Sequence, residues 1–126
     1  QAAFEHFQHK KAFAKWDAQV LMDYVEAFSE DADGKRSLAF DRAIETAFYN
    51  TLPDNLDRLL ARHPVKCPVT FIGGDESAEM KQVGMTMTEK VTKGRIMMLD
   101  GSHLFPMEKP LATAAALEAA LRNMER

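Results

Sequence analysis

The sequence predicts an α/β fold, and two short apolar stretches with helical stretches after them carry this prediction. Residues 65–72 are rich in β-branched and aromatic side chains and end at Gly73-Gly74, and residues 95–99 end at Asp100-Gly101. Short apolar runs closed by glycine are typical of buried strands in a parallel sheet. Each run precedes a predicted helix, and strand–helix–strand–helix order favours parallel pairing in the second half of the chain.

The first half of the chain, residues 1–63, predicts helices and loops. Apolar side chains recur at helical spacing over residues 4–28, and Asp33-Gly34 predicts a tight turn. Asp41 is suited to cap a helix that runs through residue 49, and a short helix is expected after Pro53-Asp54.

The second half predicts two helices beside its strands. Residues 77–92 form the first, which Gly84 interrupts or loosens, and Lys93-Gly94 ends it. Residues 110–124 form the second, because Pro110 suits a first helical position and the segment that follows is rich in Ala and Leu.

Composition narrows the class of protein and its partners. The 126 residues are 46% hydrophobic and 28% charged, which excludes a disordered tail and allows one compact domain. A net charge of −3 gives no sign of a nucleic-acid partner, and no apolar stretch is long enough for an integral membrane segment. The single cysteine, Cys67, fits a reducing compartment, so we expect a cytoplasmic protein.

Polar side chains follow both predicted strands. Asp75 and Glu76 come after the first strand, and His103 comes after the second. Adjacent parallel strands end at one edge of a sheet, so a carboxylate there would meet the imidazole and orient it as a general base. A second interpretation remains open, in which Asp75 and Glu76 only begin a helix, where anions are favoured.

The histidine segment resembles that of a known family. The pattern Gly101-x-His103-x-x-x-x-Glu108-x-Pro110, directly after Met98-Leu99-Asp100, is similar to the catalytic-histidine segment of the α/β-hydrolase superfamily. Residues 67–74 resemble its penultimate strand, and residues 16–38 resemble the later part of its helical cap. The resemblance implies a C-terminal portion of that fold, with cap-like helices in residues 1–63 and a βαβα part of the core in residues 64–126.

The resemblance implies roles for particular residues. His103 matches the base of a catalytic triad, and Glu108 and Pro110 match the start of the closing helix. The family's Gly-x-x-acid pattern, counted from Gly73, ends at Glu76, whereas aspartate is its commoner acid and Asp75 stands one position earlier. The acid is therefore Asp75, Glu76 or a residue outside these 126. Such a mechanism requires neither a metal nor an organic cofactor.

The chain departs from the family where the nucleophile belongs. The sequence contains no Gly-x-Ser-x-Gly elbow and no His-Gly oxyanion loop, and neither Ser77 nor Ser102 has such a context. We therefore expect a portion of a larger hydrolase, inactive alone, whose parent cleaves an ester, amide or related bond in a small apolar substrate. Its partner would be the missing N-terminal half or a second copy. The alternative is a non-enzymatic binding domain that pairs through an open sheet edge.

Overall fold

The structure is a computed structural model that describes residues 2–37 and 39–124. Its helices are α1 (Ala2–Gln8), a 3₁₀ helix (Lys11–Phe13), α2 (Ala18–Glu26), α3 (Arg42–Asn50), α4 (Leu56–Arg62), α5 (Ala78–Val83), α6 (Thr86–Thr92), α7 (Phe105–Glu108) and α8 (Pro110–Met124). Its strands are β1 (Ser29–Glu30), β2 (Arg36–Ser37), β3 (Phe71–Gly74) and β4 (Ile96–Leu99). Contacts within the chain define two units, Gln1–Leu56 and Asp57–Arg126, which are described separately.

The first unit is organised by aromatic rings between α1 and α2. Phe7, Phe13, Trp16, Tyr24 and Phe28 form a cluster whose ring centroids lie 4.8 to 6.1 Å apart, mostly edge to face. Edge-to-face contact favours such rings beyond the burial of their area. The helical spacing of apolar residues over 4–28 thus corresponds to one packed face.

Carboxylates fix the ends of two elements in this unit. Asp17 Oδ1 accepts hydrogen bonds from the backbone N–H groups of Gln19 and Val20, at 2.9 and 3.2 Å, and thereby begins α2. Asp41 Oδ1 accepts from the N–H of Ala43 at 2.7 Å, which confirms the predicted cap of α3.

A small hairpin follows α2. Strands β1 and β2 pair antiparallel, with Ser29 opposite Ser37, and the turn between them contains Gly34 at φ +74°. The predicted turn at Asp33-Gly34 is confirmed. Leu38, the last residue of the segment compared with a helical cap, lies outside the described residues.

The second unit contains the parallel pair β3 and β4. Phe71 lies opposite Ile96, and the register continues to Gly74 opposite Leu99. Residues 65–70, which were predicted to extend β3, are not part of the strand. Proline has no N–H to donate to a ladder, and Pro64 and Pro68 flank or interrupt this stretch.

The predicted fold class, an α/β portion of the α/β-hydrolase fold with parallel strands and flanking helices, is wrong. The described residues are mainly helical, and their parallel sheet consists of two strands of four residues each. The prediction took the two apolar runs as part of a larger parallel sheet, whereas among the described residues they pair over four residues each and with no third strand. The structure is therefore a helix-rich chain with one short parallel pair.

Two predicted features of the helices in the second unit are confirmed, and α7 was not predicted. Gly84, at φ +79°, separates α5 from α6, which confirms that it interrupts the 77–92 segment. Helix α8 runs from Pro110 to Met124 as predicted, and its Ala116 and Ala120 are buried, as is Phe105 of α7. Within the described ranges, every helix is too short or too polar to cross a bilayer.

Candidate functional site

The last residue of β3 lies so close to the loop after β4 that only glycine fits there. A Cβ atom on Gly74 would lie 2.1 Å from the carbonyl oxygen of Ser102 and 2.5 Å from that of Gly101. These are backbone atoms, so the loop after β4 would have to move to admit any side chain. The missing Cβ of Gly74 therefore determines where the loop that carries His103 lies.

Two carboxylates hold this loop. Asp75 Oδ1 accepts a hydrogen bond from the N–H of Gly101 at 3.1 Å. Glu108 Oε2 accepts from the N–H of Ser102 at 3.0 Å, and Glu108 Oε1 accepts from the Ser102 hydroxyl. Glu108 therefore has a structural role, because its carboxylate fixes the residue directly before His103.

Both predicted acids contact the loop after β4. The carboxylate of Asp75 accepts from Gly101, and the backbone N–H of Glu76 donates to the carbonyl of Gly101 at 3.0 Å. The imidazole of His103 contacts the side chains of Ser77 and Glu79. Whether Asp75 or Glu76 acts in catalysis stays a prediction.

His103 Nδ1 faces a serine and a glutamate at the start of α5. It lies 3.3 Å from Ser77 Oγ and 3.9 Å from Glu79 Oε2. Ser77 caps α5, since its Oγ accepts from the N–H of Met80 at 3.2 Å, and its hydroxyl donates to Glu79 Oε2 at 3.2 Å. Sequence reasoning placed Ser77 at the helix start and rejected it as a nucleophile, and it missed Glu79 because it looked for the acid before the helix rather than in its first turn. The available signal was a serine suited to cap a helix with an acid in the turn that follows.

The hydrogen bonds of Ser77 favour one tautomer of His103. A hydroxyl has one proton and two lone pairs, and an ionised carboxylate only accepts. Ser77 donates to Glu79 and accepts from the N–H of Met80. With the hydroxyl proton on Glu79, an acceptor position is left for His103, and we infer that Nδ1 carries the proton and donates to Ser77 Oγ. The second ring nitrogen, Nε2, is then an unprotonated acceptor in the neutral imidazole.

Glu79 is held in its ionised form. Its pKa lies below the usual 4.5, chiefly because its own backbone N–H donates to the carboxylate. The Ser77 hydroxyl and the nearby charge of His103 lower the pKa further, against a desolvation effect that raises it. The carboxylate is therefore charged at neutral pH and can stabilise an imidazolium across the Ser77 hydroxyl.

The His103 side chain adjoins an apolar pocket of about 250 Å³. His103, Ser77 and Glu79 supply polar groups to its wall, and the apolar part comes from β3, α5, α6 and α7. That part includes Phe71, Ile72, Met80, Val83, Met85 and Phe105. The His103 side chain is 59% exposed, whereas Ser77 as a residue is 1% exposed. The imidazole is accessible to a small ligand and the serine hydroxyl is not.

Comparisons of this chain with protein-family models, with curated proteins and with solved structures found no match.

Proposed function

We propose that residues 57–126 supply the general base of a hydrolytic site, with His103 as the base and a small apolar ester, amide or related compound as the substrate. The observation that carries the proposal is the hydrogen-bonded order His103 Nδ1, Ser77 Oγ, Glu79 Oε2. It leaves Nε2 of His103 to accept a proton from an attacking hydroxyl or water. The resemblance of residues 101–110 to a catalytic-histidine segment supports the same role.

In this proposal Glu79 acts through Ser77. When Nε2 takes a proton, the ring becomes cationic, and Nδ1–H remains donated to Ser77 Oγ. The ionised Glu79, whose Oε2 is 3.9 Å from Nδ1, stabilises that cation. Glu79 and Ser77 are thus positioning residues, and the pocket beside them holds the apolar part of the substrate.

In this proposal the nucleophile comes from a polypeptide segment outside these 126 residues. Ser77 is the hydroxyl in contact with His103, but it is buried and its proton is donated to Glu79. The hydroxyl of Ser102 donates to Glu108.

We place the protein in the cytoplasm, which the lone exposed Cys67 supports.

A serine-directed fluorophosphonate and an activated ester test the proposal on the chain itself. We expect no covalent adduct by intact mass and no enzymatic turnover. The imidazole should only assist a slow attack of water on 4-nitrophenyl butanoate, and His103→Ala should abolish that release of 4-nitrophenol. Glu79→Gln should slow that release, whereas Glu89→Gln, a matched change on α6, should not. An adduct on Ser77 or Ser102 would show that the chain has its own nucleophile. Release that is indifferent to His103 would show that the imidazole is not a base.

A second function, a binding domain that takes up a partner strand, is favoured by the short sheet. Among the described residues β3 and β4 pair only with each other, so each has an unpaired outer edge. Such edges accept a further strand from another chain or copy. Sedimentation analysis and amide hydrogen exchange together test this function. A dimer in which the edge amides of β3 or β4 gain protection from exchange supports strand addition. A monomer at all concentrations, with those amides unprotected, removes homodimeric strand addition.

A further inference from the structure

Helix α6 separates the His103 pocket from a second cavity. Thr88 lines the His103 pocket, whereas Met87, Lys90 and Val91 line a cavity of about 210 Å³ whose other wall comes from residues 57–65. The two cavities share no lining residue. We call the second one the lysine pocket, after Lys90 and Lys93, and its chemistry is independent of the base proposed above.

The lysine pocket combines an apolar wall with an excess of positive charge. Leu60, Pro64, Met87 and Val91 give it a mostly apolar lining. Its lining includes two basic residues, Lys90 and Lys93, and one acidic residue, Asp57. An apolar cavity with a few charged groups selects a ligand with an apolar body and an opposite charge. Its volume is below the roughly 300 Å³ at which pockets begin to take drug-sized ligands, so the ligand is small.

The backbone of Lys93 is an independent sign that its side chain is used. Lys93 ends α6 at φ +53°, ψ +39°, a left-handed conformation in which glycine is free of steric conflict and lysine is not. It is the one described non-glycine residue with positive φ. Glycine would satisfy the helix end at lower cost, and yet the residue is a lysine that lines the pocket. Such strain is a reason to look for a function.

We propose that the lysine pocket binds a short monocarboxylate with an aliphatic or aromatic tail. The tail lies against Leu60, Pro64 and Val91, and the carboxylate meets the ammonium groups of Lys90 and Lys93. Charge-assisted contacts of this type are stronger than neutral ones and orient the ligand. Asp57 disfavours a dianion, because a second negative charge would approach its carboxylate.

A titration with hexanoate, followed by amide and methyl NMR shifts, tests the proposal. We expect saturable shifts at Met87 and Val91. Hexanamide, which keeps the tail without the charge, and acetate, which keeps the charge without the tail, should each bind at least about threefold more weakly. Equal binding of hexanoate and hexanamide would contradict the role of the lysines, and equal binding of acetate would contradict the role of the tail.

Lys93→Gly separates binding from folding. Since glycine relieves the left-handed backbone, we expect a variant at least as stable as the wild type, with hexanoate affinity lower by about threefold to fivefold. Lys90→Gln should weaken binding similarly, and Lys81→Gln, outside the pocket on α5, should not. Unchanged affinity in both Lys93→Gly and Lys90→Gln would overturn the proposal. Loss of stability in Lys93→Gly without loss of affinity would assign Lys93 to the helix end alone.

Discussion

The two units of the chain are held together in different ways. In Gln1–Leu56 aromatic rings meet edge to face, and Leu21 and Val25 are buried. In Asp57–Arg126 a glycine admits a backbone approach, a carboxylate binds a backbone N–H group 26 positions away, and a serine and a threonine are among the most buried side chains. Packing of rings tolerates small shifts, whereas a polar network requires atoms at fixed distances. The candidate chemistry lies in the second kind of structure.

Gly74→Ala should destabilise the protein most, because it places a side chain where the end of β3 lies against the backbone of the loop after β4. The new Cβ would lie 2.1 Å from a backbone oxygen, and relief of that clash moves the loop before His103. We expect a loss of about 3 kcal/mol in the free energy of unfolding, measured by urea denaturation. The control is Gly94→Ala, whose Cβ meets nothing within 4 Å and whose cost, from φ +81°, is about 1 kcal/mol. Equal losses of unfolding free energy in the two variants would show that Gly74 is not in close contact with the loop.

Tyr24→Ala tests the ring cluster of the first unit. Tyr24 contacts Phe7, Phe13, Trp16 and Phe28, and its loss leaves a gap among rings that are only partly buried. We expect about 2 kcal/mol of destabilisation, below the range for a fully buried aromatic residue. Fluorescence of Trp16, the single tryptophan, reports it. Tyr49→Ala, at a residue that is 70% exposed, should change little, and a comparable loss there would contradict the assignment of the core.

Ser77→Ala compares a helix cap that also binds an imidazole with one that does not. Ser77 caps α5 and Asp41 caps α3, so each alanine variant should lose about 1 kcal/mol by thermal or urea unfolding. Only Ser77→Ala should change the ¹⁵N shifts of the His103 ring. If Asp41→Ala changed those shifts equally, the serine would have no special relation to the histidine.

The smallest effect that we expect is the change that Ser77→Ala causes in the pKa of Glu79. It is lowered, so the carboxylate's contribution to stability is fully present above pH 4.5 and is lost as the pH falls through the lower value of the folded state. Ser77→Ala removes one of the smaller causes, and we expect the pKa of Glu79 to rise partway towards 4.5. A ¹³C titration of the side-chain carboxyl measures it. A pKa that does not move would show that the Ser77 hydroxyl does not donate to Glu79.

The sequence predicted local structure better than it predicted contacts through space. Pro110, Gly84, Asp41 and Asp33-Gly34 act within a few residues of themselves, so the helix ends, the break and the turn follow from residue type. The fold class was wrong because the two apolar runs were taken as part of a larger sheet, whereas among the described residues they pair only with each other. Sheet size depends on pairing with distant segments, which periodicity along the chain does not report.

The candidate site was predicted in part. His103 was identified by its place after a strand and by resemblance, but its contacts with Ser77 and Glu79 were not. Those contacts join residues 26 and 24 positions apart and depend on the approach of Gly74 to the loop at Ser102. No pattern along the chain encodes such a distance.

The ring nitrogens of His103 test the central claim most directly. Long-range ¹H–¹⁵N correlation distinguishes a protonated ring nitrogen from an unprotonated one in the neutral imidazole. At a pH where the ring is neutral, the account predicts a proton on Nδ1, which donates to Ser77 Oγ, and none on Nε2. A proton on Nε2 would contradict it, because the nitrogen assigned to receive a proton from the nucleophile would already carry one.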